Sequence, residues 1–246
     1  MSKCNGVGWT EFGPFVGFRY STDYGKTWTE TSSSPSNPLF GENPEVDKVK
    51  IGAPHFVDFG KNMQHSPDGY AYLVAHGSDR KDAWNNWIQA DNIYLIRVKP
   101  SIETMNDRNS YQFFSGYDKN KNPIWQNDFS KISPLLTWEN NLGCTTITYN
   151  ESLGRYLMCV TRGVSTTSGN SILLESKNLT GPWSIVQYLE DFGPFAYFLN
   201  IPSKFISSDG LSMWLLLSAN FAEKTSAGSP IGARYSLSLH EFHLNK

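Results

Sequence analysis

The chain of 246 residues balances 21 Lys and Arg against 23 Asp and Glu, a net charge of -2 with a sequence pI near 6.2. That balance offers no basic field to a polyanion, so nucleic acid is not an expected partner. No apolar run approaches the roughly 18 residues of a membrane span, and MSKCNGVGWTEF lacks the apolar core of a signal peptide, so the chain reads as soluble as given. Eight Trp, twelve Tyr, fifteen Phe, twenty Gly and thirteen Pro among only 18% charged residues favour many short strands joined by tight turns, an all-β chain. Cys4, Cys144 and Cys159 are too few and scattered for a disulfide framework or a zinc site, and the last two read as buried strand residues. Asn150-Glu-Ser and Asn178-Leu-Thr fit the N-glycosylation pattern.

Taken in order, Tyr20–Trp28 reads YSTDYGKTW, a turn in which Asp23 bonds backbone, Gly25 permits positive φ and Trp28 packs beneath. Phe15–Ser21 and Thr27–Thr31 are the expected outer strands of a blade whose inner two lie outside the chain. The polar connection Ser32–Lys48 leads to a hairpin of Ile51–Phe59 and Tyr70–His76, separated by turn-forming residues. Asn92–Lys99 and Tyr111–Tyr117, the latter continued by Pro123–Gln126, complete one blade. Cys144–Asn150, Arg155–Arg162, Ser171–Ser176 and Trp183–Tyr188 form a second. Ile201–Ser207, Leu211–Ala219 and Arg234–Leu244 belong to a third. Each set carries a glycine turn between its first two strands (Asp68-Gly69, Leu153-Gly154, Asp209-Gly210), as a radial repeat should. The expected architecture is a β-propeller of four-stranded antiparallel blades, with a partial blade at 1–32, blades at 51–126 and 142–188 and a last blade at 198–246. Such a set is expected to be an incomplete, carboxy-terminal part of a larger propeller, and self-association is one way to cover the open flank.

In a hairpin the start of the first strand lies beside the end of the second, so His55 and His76 are expected to meet at one rim. With the glycine turns in register, Ala53-Pro54-His55-Phe56 falls over Cys144-Thr145-Thr146-Ile147 and Ile201-Pro202-Ser203-Lys204, and His76-Gly77 over Arg162-Gly163. His55, His76, Thr146, Arg162 and Ser203 then ring the mouth. Loops on the same face add Arg80, which reads as solvated, with Trp84, Trp87, Trp138 and Tyr197. Such a mouth suits a sugar, whose apolar faces stack on rings while its hydroxyls and carboxylates meet donors. An oligo- or polysaccharide is therefore the expected partner.

The stretches GAPHFVDFGKN, DNIYLIRV, DRNSYQFFSGYDKNKNPIWQND, TYNESLGRYLM and LTGPWSIV resemble the seven-bladed propeller families of ulvan lyases and rhamnoglucuronan lyases, with the related α-L-rhamnosidases. The turn at Ser21–Trp28 is similar to the Asp-box of sialidase-like propellers, and Gly181-Pro182-Trp183 to a turn of five-bladed propeller glycosidases. The lyase resemblance implies an elimination carried by two histidines, a tyrosine and an arginine. His55 and His76 match the histidines and Arg162 matches the arginine. Thr146 stands where the tyrosine is expected and is too weak an acid to replace a phenol. Tyr94, at the mouth end of the third strand, is the nearest substitute by topology, and Tyr149 reads as structural. The resemblance also implies secretion.

Elimination from a uronic acid unit needs a carboxylate clamp, a base and an acid. Arg162 fits the clamp, and histidines with a free pKa near 6.5 fit the proton transfers. The leading expectation is a uronate polysaccharide lyase with His55, His76 and Tyr94 catalytic and Arg162, Thr146, Ser203, Trp84, Trp87 and Trp138 binding substrate. No cofactor or metal is expected, although the two histidines with Asp91 could hold an ion. The alternatives are a glycoside hydrolase, with paired carboxylates drawn from Asp91, Asp128, Glu139, Glu190 and Asp191, and an inactive carbohydrate-binding propeller.

Overall fold

The computed structural model describes residues 13–43, 48–83, 88–162, 169–192, 196–220 and 235–245. Cys4, Trp84, Trp87 and Arg234 lie outside the described residues. The first blade runs β1 (Gly52–Phe56), β2 (Ala71–Gly77), β3 (Asn92–Val98), β4 (Tyr111–Tyr117) and β5 (Pro123–Gln126), paired in that order, and β6 (Leu136–Thr137) joins the mouth end of β3. β5 does not continue β4. Asp118 accepts the amides of Asn120 and Asn122, and Lys121 takes φ 65°, so the chain reverses and β5 adds an outer strand. The second blade is β7 (Thr145–Asn150), β8 (Arg155–Arg162), β9 (Asn170–Ser176) and β10 (Ser184–Leu189), a four-stranded antiparallel sheet. The third contributes β11 (Tyr197–Asn200), β12 (Ser212–Asn220) and β13 (Tyr235–His243).

The protein is thus part of a β-propeller of antiparallel blades. Strands β2, β3 and β8 carry unbroken apolar runs at residues 71–75, 93–96 and 156–160 because both of their faces are covered there. Tyr72, Val74, Ile93 and Leu95 meet Ile147, Met158 and Val160 between the first two blades. The alternate residues Leu157 and Cys159 turn the other way and meet Leu199, Met213, Leu215 and Leu217 of the third blade. Leu73, Tyr94, Ile96 and Phe113 face Leu39 and Phe40 of the amino-terminal segment. That segment was expected to hold two blade strands, yet among its described residues the pairing is confined to isolated bridges, Tyr20 with Thr29 and Ser34 with Asn37. In its turn Asp23 accepts the Thr27 amide and hydroxyl, and Trp28 bonds the Gly25 carbonyl while remaining 60% exposed instead of packing beneath.

The third blade corrects the register expected from the glycine turns. β1 and β11 each carry a bulge built on a non-glycine residue of positive φ, Ala53 at 45° and Phe198 at 55°. These two residues correspond, so His55 corresponds to Asn200 and not to Ser203. The connection from β1 to β2 spans residues 57–70 and that from β11 to β12 spans 201–211, a difference of three (14 minus 11). Aligning the glycines hides that difference.

Candidate functional site

The bulge in β1 also separates the two histidines. His76 pairs with Gly52, whereas His55 pairs with Val74, two residues deeper. His76 has no exposed surface, so it cannot meet a substrate at the rim. His55 is half-buried with its ring 5.0 Å from that of Phe198, and burial lowers its pKa, so the imidazole is neutral at pH 7. Tyr94 projects from the opposite face of β3 to Ile93, into the core shared with Leu39 and Phe40. It is fully buried, its hydroxyl accepts from Asn92 Nδ2 at 3.0 Å, and burial pushes the phenol well above its ordinary range. Tyr94 therefore does not face His76.

Two further members of the expected ring hold the blades together. The Thr146 hydroxyl donates to the Leu199 carbonyl at 2.7 Å, and Thr148 does the same to Ile201 at 2.6 Å. Ser203 donates its amide and hydroxyl to Asp58 at 2.8 Å each. Asp58 follows the far end of β1, and its backbone exchanges bonds with Ile147 and Tyr149, so Ser203 sits away from the mouth. Asn150 is likewise buried, with Nδ2 bonded to the Gly210 carbonyl, and is closed to glycosylation.

What does converge at the mouth is an aromatic and guanidinium stack. The Arg162 guanidinium, at the end of β8, lies 4.3 Å from the Trp138 ring centre and 5.7 Å from that of Tyr188, and Nε donates to Asn141 Oδ1 at 2.7 Å. Trp138 is 40% exposed and Tyr188 39%. The 138–141 turn hangs on Asp91, whose carbonyl accepts the Trp138 amide and whose carboxylate accepts the Asn140 amide. The same carboxylate receives Ser78 Oγ at 2.7 Å and Arg80 Nε at 2.9 Å. Burial alone would raise the Asp91 pKa; the bonds from Arg80, Ser78 and Asn140 outweigh it and hold the carboxylate below its usual range. Arg80 also reaches Glu139 at 3.0 Å, so it braces two loops rather than standing solvated. Among the described residues no group of three His, Cys, Asp or Glu side chains is arranged to hold a metal.

Around the other flank of the first blade, between the amino-terminal segment and the loops after β2 and β5, lies a cavity of about 640 Å³ lined by Glu42, Lys50, Asp79, Arg108, Asp128 and Phe129 among others. Glu42 enters it because its carboxylate accepts the amides of Lys50 at 2.6 Å and Ile51 at 3.2 Å, just ahead of β1. Burial pushes its pKa up to about 7 despite those bonds and the nearby Lys50 charge. Asp128 caps the turn Phe129–Lys131 by accepting the Ser130 amide at 2.9 Å. The Ser130 hydroxyl and amide, then Lys131 and Arg108, hold it below the usual carboxylate range. Asp79 accepts from Asn92 Nδ2 at 3.4 Å. Phe129 stacks on Phe40, ring centres 5.4 Å apart. Asp128 was among the expected hydrolase carboxylates; Glu42 and Asp79 were not, because nothing in GENPEVDKVK or the GSDRKD loop marks which side chain turns inward.

The sheets define a propeller with an aromatic, charged mouth. Residues 3–214, most of the chain, match the family described as "Domain of unknown function (DUF4185)", and the protein belongs to that family. It is a different family from the lyases and rhamnosidases that the sequence stretches resemble. No curated protein matches. Similar solved structures include an endo-arabinase from Bacteroides thetaiotaomicron VPI-5482 (TM-score 0.42, 13% identity, 78% of this chain and 51% of that one). Others are an exo-beta-1,3-galactanase from Clostridium thermocellum (0.36, 11%, 98% and 55%) and the GH43 protein BlXynB from Bacillus licheniformis (0.36, 12%, 94% and 53%). The chain spans about half the length of these structures, and at such scores the likenesses carry no argument about chemistry.

Proposed function

We propose that this protein is a carbohydrate-active propeller that binds a glycan across its mouth and cleaves it by hydrolysis. The observation that carries the binding half is the stack of Trp138, Arg162 and Tyr188, held open to solvent by the Asp91 anchor. Trp138 presents ring surface to a sugar, Arg162 offers charge-assisted donors to hydroxyls or a carboxylate, and His55 offers a neutral imidazole on the inner wall. Against elimination stand the burial of His76, the burial of Tyr94 in the core on the opposite face of β3, and the engagement of Thr146 with Leu199. Hydrolysis asks instead for carboxyl groups, which the cavity on the amino-terminal flank of the first blade supplies at Glu42 and Asp79 towards the mouth and at Asp128 deeper along the blade, past the end of β5.

The test is incubation with arabinan, beta-1,3-galactan, ulvan and polygalacturonate, following both new reducing ends and ultraviolet-absorbing unsaturated uronate. Reducing ends without the chromophore are expected. The chromophore would restore the lyase reading, and saturable binding with no cleavage of any polymer would make the protein a binding module.

A further inference from the structure

Resting on the hydrolytic reading above, we propose that the cavity between the amino-terminal segment and the first blade is the hydrolytic centre, with Glu42 the general acid and Asp128 the general base. Its volume of about 640 Å³ suits a sugar subsite, since ligand pockets run roughly 300–1,000 Å³. Phe129, half-buried and backed by Phe40, gives the wall an apolar face for a pyranose or furanose ring. The polar groups converge from separate elements: Glu42 from the segment before β1, Asp79 from the loop after β2, Asp128 from the turn after β5.

The two carboxyls sit in opposed environments. Glu42 is drawn out of water and is half protonated at pH about 7, whereas Asp128 is exposed and stays ionised. A pair pushed apart in this way supplies one proton donor and one acceptor at the same pH. The charged groups facing them are Lys48, Lys50, Asp79 and Arg108, with Lys131 beside Asp128. The cations oppose the rise at Glu42 and deepen the ionisation of Asp128, so burial decides the first and hydrogen bonding the second.

The cavity runs along the flank of the first blade from Asp128 and Arg108, beside the start of β4, to Asp79 near the mouth, where it approaches the Trp138 stack. Asp79 lines the cavity, and its neighbour Arg80 binds Glu139 beside Trp138. A polymer lying over Trp138 and the 79–80 loop thus enters the cavity, whereas a free monosaccharide would fill one end alone. In the step itself the Glu42 proton passes to the glycosidic oxygen as its bond to the anomeric carbon breaks. The oxygen of a water molecule forms the new bond to that carbon, and the water proton passes to Asp128.

The experiment compares Glu42→Gln and Asp128→Asn with the wild type on the polymer that is cut and on nitrophenyl glycosides of its sugars. On the polymer each substitution is expected to cost roughly 10²–10⁴-fold in turnover. On the nitrophenyl glycosides, whose leaving group needs no protonation, Glu42→Gln is expected to cost less than ~10-fold while Asp128→Asn keeps its full loss. A merely structural Glu42 would slow both substrates alike. The wild-type alkaline limb near pH 7 should vanish in Glu42→Gln on the aryl substrate. Should both variants cut the polymer at the wild-type rate, the cavity assignment is overturned while hydrolysis stands. Should the wild type release no reducing ends from any probe, both fall together. Asp128 lies on an exposed turn, so its variant tests the assignment even where Glu42→Gln loses stability.

Discussion

The two faces of the first blade start from the same strands and end differently. Towards the second blade, Val74, Ile93 and Leu95 close against Ile147, Met158 and Val160, and polar residues caught in the seam are absorbed: His76 is sealed and Thr146 bonds the next blade. Towards the amino-terminal segment the centre is equally apolar, but an irregular chain cannot follow the sheet along its length, and a charged cavity remains beside it. A polar side chain between two regular blades serves assembly, while one between a blade and a loop stays accessible to a ligand.

The largest effect expected of this contrast is the catalytic loss in Glu42→Gln, set beside near-normal turnover and an unchanged pH profile in a folded His76→Asn protein. Next in size, Asp91→Asn removes the charge that holds Arg80 and is expected to cost about 1–3 kcal/mol by thermal unfolding, the lower figures reflecting the half-exposed Arg80. The same variant should weaken glycan binding, since Arg80, which ties Glu139 beside Trp138 to Asp91, loses its charged partner. Gly77→Ala would place a methyl group 2.2 Å from the Lys50 carbonyl oxygen and 2.4 Å from that of Val49, both backbone. A loss of roughly 1–3 kcal/mol or more is expected in chemical denaturation, because that backbone also carries the amides bonded to Glu42. Trp138→Ala, at the exposed end of the contrast, should cost about 0.5–1.5 kcal/mol of glycan affinity by calorimetry and leave stability nearly unchanged.

The pH dependence of stability separates the faces with opposite signs. His55 is held neutral by burial, so its contribution is complete above the unfolded value of 6.5 and declines as pH falls through it. Glu42 has its pKa raised from 4.5 to about 7, so its contribution is complete below 4.5 and declines as pH rises to about 7. Melting temperatures between these limits should therefore flatten on the acid side in His55→Asn and on the neutral side in Glu42→Gln.

Much of the fold could be read in advance. β4, β5 and β8 have the limits the residue pattern gives, because turn residues such as Asp118 and Gly154 bound unbroken apolar runs. What the pattern does not carry is which face a residue takes after a bulge, or which strand lies across a seam. Ala53 looks like any strand residue, yet its positive φ shifts His55 against Val74, and the same device at Phe198 displaces the third blade from its expected register. Arg162 and Trp138 were legible as rim residues because strand ends and the loops between blades are local features. Glu42 was not, since its position depends on amides eight and nine residues away in a stretch without periodicity.

The most direct measurement is the product chemistry of the wild type and Glu42→Gln on a single susceptible glycan. New reducing ends with no unsaturated chromophore, lost in the variant, are predicted. Chromophore formation, or wild-type cleavage by the variant, would contradict the account.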